Sequence, residues 1–222
     1  HPDKPALLFE GRCLSFAQLA ERIQRVAALA RDELNLVPGD CVAIYAPNCL
    51  PYIELVAGLS RAGVMVATPT HRAAKMELQQ ILNNCQAKMV FCPDDLGGNL
   101  EHLDSLSVLS LDAEYEDMLA RQSLDQPVPP ADAEATFCIP YTSGTTGEPK
   151  GVMLSHHCRS HLFAAMAYHF RCLSAEDQHL CFAPLAHGGG YGFAMASIFN
   201  GGTLELMAAF DPAHVMARLA SG

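Results

Sequence analysis

The chain has 222 residues, half of them apolar and 17% charged, enough to bury the core of one large domain or one and a half ordinary ones. Fourteen basic against 24 acidic residues leave a formal net charge of -10. That balance excludes a general nucleic-acid or anionic-membrane surface, because phosphate backbones select for basic stripes.

Nine cysteines lie without paired spacing and without a CxxC, the pattern of reduced thiols in a cytoplasmic protein rather than a disulfide framework. No apolar run approaches the roughly 20 residues that span a bilayer, and no basic-then-apolar leader opens the chain. With His1 at one end and "RLASG" at the other, both ends read as cuts.

In chain order, "PALLFEGRCLSF" is two short apolar runs around Glu10-Gly11, a hairpin signal. Ser15 opens a Ser-x-x-Gln capping box, and Phe16, Leu19, Ile23, Val26, Ala27, Ala30 and Leu34 recur at helical spacing. Pro38-Gly39-Asp40 turns into "CVAIYA", a buried strand. "LPYIELVAGLSRAG" is helical, with Gly63 placed to cap it. The strand "VMVAT", the helix "KMELQQILNNC" and the strand "KMVFC" follow. Residues 96–104 read as a weak helix, "LSVLSL" as a strand and "DAEYEDMLARQ" as a helix.

Residues 123–134, "SLDQPVPPADAE", form a proline-rich surface linker. Beyond it come the strand "TFCIPY", a glycine-rich loop, the strand "GVML" and a helix from about Ser155. "HLCFAP", "LAHGGGYG", "GGTLELM" and "DPAHVMARLA" close the chain. Apolar strands alternating with helical segments predict an α/β fold, a parallel or mostly parallel sheet flanked by helices on both faces.

The glycine loop is the chemical centre of the sequence. Thr142, Ser143, Gly144, Thr145, Thr146, Gly147 and Lys150 follow an apolar strand directly. Consecutive amides of such a loop form an anion-holding concavity, and hydroxyls add donors around phosphate oxygens. Lys150 supplies a compact positive charge, and glycine lets the main chain approach without a Cβ. The spacing is not G-x4-G-K-[ST], because Pro149 stands five positions after Gly144. Nor does "HGGGYGF" meet G-x-G-x-x-G, since Phe193 occupies the third glycine's place.

"YTSGTTGEPKGVMLSH" resembles, residue for residue, the phosphate-binding signature of the adenylate-forming superfamily of acyl- and aryl-CoA ligases, luciferases and peptide-synthetase adenylation domains. "GDCVAIYAPNCLPYIELVAGLSRAGVMVATPTHR" is similar to the family's early strand-helix-strand segment, and "PLAHGGGYG" to the later motif that carries a histidine at the acid pocket. The resemblance implies ATP-dependent activation of a carboxylic acid to an acyl-adenylate, with release of pyrophosphate. It also implies transfer to coenzyme A, with Mg2+ as cofactor. Under it Thr142, Ser143, Gly144, Thr145, Thr146, Gly147 and Lys150 hold the ATP phosphates. Lys150 and His187 carry the chemistry, and His187, Gly188, Gly189 and Gly190 line the acid pocket. Tyr191 and Phe193 line that pocket or belong to the core of the following helix.

His156, His157, Cys158 and His161 invite a metal reading, but no metal site is assigned: convergence and second partners are missing from the pattern, and a histidine at 156 is ordinary for the family. "TPTHR" departs from the Asn-Pro-containing segment common at that place. The family's aromatic-Gly-x-Thr-Glu segment, ribose-binding aspartate and distal lysine do not occur in the 222 residues. The resemblance therefore implies the N-terminal portion of the large AMP-binding domain, divided into 1–122, the linker 123–134 and 135–222. By itself that portion is expected to be inactive and to self-associate through apolar surface. The alternatives are an amino-acid-activating module, with a carrier-protein thiol as acceptor, and a non-catalytic nucleotide-binding or interaction module. "SGTTG" and the histidine of "PLAH" favour the acid–CoA ligase branch.

Overall fold

The computed structural model describes residues 1–101, 103, 106–142 and 149–220. Strands β1 (Pro5–Phe9) and β2 (Arg12–Ser15) form the expected hairpin, turned by Glu10 and Gly11 with φ of 47° and 80°. Two consecutive positive φ values match the right-handed twist of the strands, and Gly11 takes the second at no steric cost. The capping box then starts α1 (Phe16–Ala28): Gln18 N donates to Ser15 Oγ at 3.2 Å, and Ser15 N donates to Gln18 Oε1 at 2.9 Å. A π-helical turn, Leu29–Glu33, continues it.

The chain then alternates: β3 (Cys41–Ile44), α2 (Leu50–Arg61), β4 (Met65–Thr68), α3 (Lys75–Asn84), β5 (Ala87–Cys92), β6 (Ser107–Ser110) and α4 (Ala113–Ala120). Where a weak helix is predicted over 96–104, a 3₁₀ segment spans Asp94–Asn99 instead. Gly97 and Gly98 lower helix propensity there, and residues 102, 104 and 105 lie outside the described residues.

After the irregular stretch come β7 (Thr136–Thr142), β8 (Lys150–Gly151), β9 (Leu154–Ser155) and α5 (His156–Phe170). The predicted strand "GVML" is thus two short pieces around Val152 and Met153, both antiparallel to β7. The chain ends through β10 (Gln178–Cys181), α6 (Gly188–Phe199), β11 (Thr203–Leu206) and α7 (Pro212–Ala220).

The α/β expectation holds, but the strands divide between two sheets. The larger has the order β6-β5-β3-β4-β7-β8, with β9 also on β7, and is parallel through β7. The smaller has the order β10-β11-β1-β2. In it the N-terminal hairpin pairs with the far end of the chain, Leu7 opposite Leu204 and Phe9 opposite Leu206. On β3 the pleat sends Val42 and Ile44 into one apolar cluster with α1, α2 and α6, and Cys41 and Ala43 into another with α3. The larger sheet is therefore covered on both faces, as its apolar runs require.

Two polar ties hold this frame. Glu54 on α2, fully buried, accepts from Arg22 Nε at 2.5 Å, from Arg22 Nη2 at 3.0 Å and from the Tyr115 hydroxyl at 2.9 Å. Burial pushes its carboxyl up against the pull of Arg22. Arg22 also donates to both oxygens of Glu116 at 2.9 Å, so one guanidinium joins α1, α2 and α4.

Asn48, buried in the turn after β3, makes the second tie. Its Nδ2 donates to the carbonyls of Ala183 and Met207, each at 3.0 Å, and its Oδ1 accepts from Leu185 N at 2.8 Å. One side chain thereby fastens the rim of the larger sheet to the loops that leave β10 and β11.

Candidate functional site

Because β3, β4 and β7 are parallel, the segments that follow them emerge along one rim, where open α/β sheets place their ligands. Asn48 brings the segments after β10 and β11 to that rim.

The glycine loop begins and ends on adjacent strands: Thr142 lies opposite Lys150, and Tyr141 opposite Gly151. Ser143, Gly144, Thr145, Thr146 and Gly147 lie outside the described residues, so the phosphate role expected of them rests on the sequence. The stem is specified closely. A Cβ on Gly151 would stand 2.8 Å from Ile139 Cγ2 and 2.9 Å from Tyr141 Cζ, so only glycine allows this pairing. Tyr141 donates its hydroxyl to Asn84 Oδ1 at 2.7 Å, which fixes the strand's end against α3. Thr142 and Lys150 are exposed, with Thr142 Oγ1 3.5 Å from the Lys150 carbonyl.

His187 is the N-cap residue of α6, with an extended backbone and an exposed side chain. The three glycines after it have different surroundings. A Cβ on Gly188 or Gly189 would meet nothing within 4 Å, so the first turn of the helix opens its amides to the outside. A Cβ on Gly190 would lie 2.5 Å from the Pro184 carbonyl oxygen and 2.8 Å from that of Ala183. Gly190 therefore lets α6 press on the strand-to-helix loop and set the height of His187. Tyr191 is buried, and Phe193 packs against Phe170 and His179, so both serve the core in this structure.

A cavity of about 560 Å³ lies beside this rim, lined by Asn48, His71, Arg72, Phe182, Pro184 and Phe210 among others. His71 comes from the divergent "TPTHR" stretch, and its buried Nδ1 has no hydrogen-bond partner. Burial lowers its pKa, and the positive fields of Arg72 and His187 lower it further. His71 thus sits within electrostatic reach of His187.

The histidines after the loop lie elsewhere. Ser155 pairs with Thr136 at the opposite end of β7, and His156 Nε2 donates to the Ser60 carbonyl at 3.1 Å while its ring meets Phe137 edge-on. His157 lies 2.9 Å from Glu134 Oε1, and its ring centre is 4.9 Å from that of His161. Among the described residues no three His, Cys, Asp or Glu side chains gather as a metal set.

A sequence model of the AMP-binding enzyme family matches residues 1–221. The chain belongs to the AMP-binding enzyme family. It is 29% identical over 222 residues to a feruloyl-CoA synthase of an Amycolatopsis species, covering 97% of this chain and 43% of that protein. It is 30% identical over 216 residues to the fatty acid–[acyl-carrier-protein] ligase ScoC of Streptomyces coeruleorubidus, covering 94% and 41%. Among solved structures, ATP-bound MatB from Rhodopseudomonas palustris superposes with a TM-score of 0.89 at 25% identity, covering 99% of this chain and 45% of MatB. The N-terminal domain of FACL13 from Mycobacterium tuberculosis superposes at 0.91 with 23% identity, covering 99% and 57%. The chain thus spans less than half the length of these two curated relatives.

In this AMP-binding chain, sequence reasoning names the loop and the histidine motif and misses Asn48, which ties the turn after β3 to the segment that leads to His187. A single polar residue between a strand and a helix reads as an ordinary turn, and its three partners lie more than 130 positions away in the chain. No helix among the described residues is long and apolar enough to cross a membrane.

Proposed function

We propose that the complete protein activates a carboxylic acid with ATP and passes the acyl group to coenzyme A. The observation that carries this is the hairpin stem: Thr142 and Lys150 face each other across the glycine-rich loop at the rim where α6 opens its first turn below His187. A carboxylate oxygen of the acid attacks the α-phosphorus, the bond to the bridging oxygen breaks, and pyrophosphate leaves. The thiol sulfur then attacks the acyl carbon, adenylate departs, and the thiol proton passes to solvent or a base.

The residues present fit such a nucleotide. The stem pins both ends of the loop, so Ser143, Thr145 and Thr146 with the amides of Gly144 and Gly147 would surround the outer phosphates, and Thr142 would stand at the entrance. Lys150 would meet the charge that builds on the leaving pyrophosphate, and fixed groups of this kind supply most of the catalysis in such a transfer. Mg2+, when bound, neutralises phosphate charge. His187, Gly188, Gly189 and Gly190 would bound the acid on the side of the α-phosphate. The names of the relatives divide between coenzyme A and carrier-protein acceptors.

Residues 1–222 would form the N-terminal portion of the large nucleotide-binding domain, with 123–134 as a surface linker. The nine cysteines, without paired spacing in the sequence, support a reducing, cytoplasmic setting. Exposed Tyr168, Phe170, Phe182, Phe210, Met216 and Leu219 support self-association of the isolated chain.

The test is acid-dependent exchange of labelled pyrophosphate into ATP by the complete protein. Lys150→Ala is expected to lower the exchange rate at least tenfold. An unaltered rate would reject the role given to the lysine.

A further inference from the structure

Two cysteines that the chemistry above does not use meet at the end of α3. Cys85 is the C-cap residue of that helix and partly buried, and Cys41 opens β3 and is 2% exposed. Cys41 stands opposite Ala87 across the parallel strands β3 and β5, and Cys85 precedes Ala87 by two residues. The two thiols are thus neighbours in the apolar cluster that joins β3 to α3, and their side chains are in hydrogen-bond contact. The Tyr141 hydroxyl makes a third corner. It touches Cys85 and donates to Asn84 Oδ1 at 2.7 Å, one residue before Cys85.

These contacts give the two thiols different characters. The bond to Cys85, together with burial, raises Cys41 far above the ordinary thiol range and keeps it protonated. The same bond lowers Cys85 against the effect of burial, and Tyr141 adds to the lowering. Cys85 is also the one that solvent reaches. An accessible cysteine drawn towards its thiolate, beside a protonated thiol that can resolve it, is the arrangement of a redox-sensing pair.

We propose that hydrogen peroxide converts Cys85 and Cys41 into a reversible disulfide, and that Tyr141 carries the change to the stem of the glycine-rich loop. The Cys85 thiolate attacks one peroxide oxygen and the O–O bond breaks. Cys85 becomes a sulfenic acid, and the departing hydroxide takes up the proton that the Cys85 thiol gave to solvent. The Cys41 sulfur then attacks the Cys85 sulfur, the S–O bond breaks, and water leaves with the Cys41 proton. Two thiols are oxidised and one peroxide is reduced to two waters. Sulfurs in non-bonded contact must close to about 2 Å, which draws the end of α3 towards β3. Tyr141 is bonded to that end of α3 and precedes Thr142, which pairs with Lys150 across the stem. In a reducing setting such a disulfide is transient and acts as a sensor. The disulfide stands on the cysteines alone, and its effect on nucleotide rests on the ligase reading above.

The test oxidises the complete protein with hydrogen peroxide, alkylates it and digests it with trypsin without reductant. Residues 32–61 and 76–88 are expected as one linked species that dithiothreitol separates. Cys49 shares the first peptide, so loss of the link in Cys41→Ala assigns it to Cys41. Pyrophosphate exchange at limiting ATP is expected to fall at least threefold on oxidation and to return with dithiothreitol. Cys85→Ser is expected to keep its rate under peroxide, and it decides the matter if Cys41→Ala does not fold. Exposed Cys13, Cys158 and Cys172 remain in that variant, so it controls for oxidation elsewhere. No linked species, or an equal fall in wild type and Cys85→Ser, overturns the inference and leaves the ligase reading intact. The link with an unmoved exchange rate overturns the route through Tyr141. No exchange before oxidation overturns the ligase reading, and the linked peptides alone then decide the disulfide.

Discussion

Asn48 holds three main-chain groups, of which the Ala183 carbonyl also accepts from the Cys181 thiol at 3.6 Å. Removing its amide leaves the Leu185 N–H and the Met207 carbonyl short of partners, each worth about 1–3 kcal/mol when stranded in the interior. Asn48→Ala is therefore expected to cost about 3 kcal/mol, read as a lower urea midpoint at unchanged slope. Asn48→Asp retains an acceptor for Leu185 but sets a carboxylate against two carbonyl oxygens, so it is expected to recover nothing. A midpoint within 0.5 kcal/mol of wild type, by about the scatter of ordinary surface changes, would show that the two sheets are held elsewhere. The side chains proposed to carry phosphate and acid chemistry are named from residue type and order alone. Those that hold the frame are not: Asn48 and Glu54 are single polar letters in apolar surroundings. What each does depends on partners that only the folded chain supplies.

At the scale of elements, α1 and α2 pack so closely that Gly58 has no room for a side chain. A Cβ there would fall 2.4 Å from Val26 Cβ and 2.8 Å from the Ile23 carbonyl oxygen. Alanine favours helix over glycine by about 1 kcal/mol, so an exposed site would gain from the change. Here overpacking of about 1–3 kcal/mol beyond that gain is expected to win, and Gly58→Ala should lower the thermal midpoint by several degrees. Val26→Ala added to it should restore little, since the nearest obstacle is Val26 Cβ itself, which alanine keeps. Higher stability in Gly58→Ala would mean that the helices part freely. Strands and helices were legible as elements because a strand buried on both faces is an unbroken apolar run and α1 keeps a helical period. Which sheet a strand joins was not. Leu7 pairs with Leu204 through a register that neither segment's pattern encodes, so one sheet is the natural reading and two are found.

For the whole molecule, acid stability depends on histidines that three different packings keep from water. Burial lowers the pKa of His71, His156 and His179 below the ordinary 6.5. His156 spends Nε2–H on the Ser60 carbonyl, so a second proton must enter at Nδ1 within that packing. Below pH 6.5 the unfolded chain takes up protons at these three rings while the native chain does not. The unfolded state then binds more protons, and stability falls as pH falls until the native pKa values are reached. Glu54 opposes this over its own window: its raised native pKa lets the folded state hold the extra proton just above pH 4.5, so stability there rises on acidification. Three groups against one, acting from a higher pH, set the expected sign between pH 7.5 and 5.5: the urea midpoint falls. His156→Gln keeps a donor for Ser60 and cannot titrate, so its midpoint should fall less over the same interval. A midpoint that holds level or rises on acidification would mean that the histidine rings take up protons in the folded state as easily as in the unfolded one. In that case the packing around His71, His156 and His179 opens to water, and the tie between the sheets is looser than the buried Asn48 bonds require.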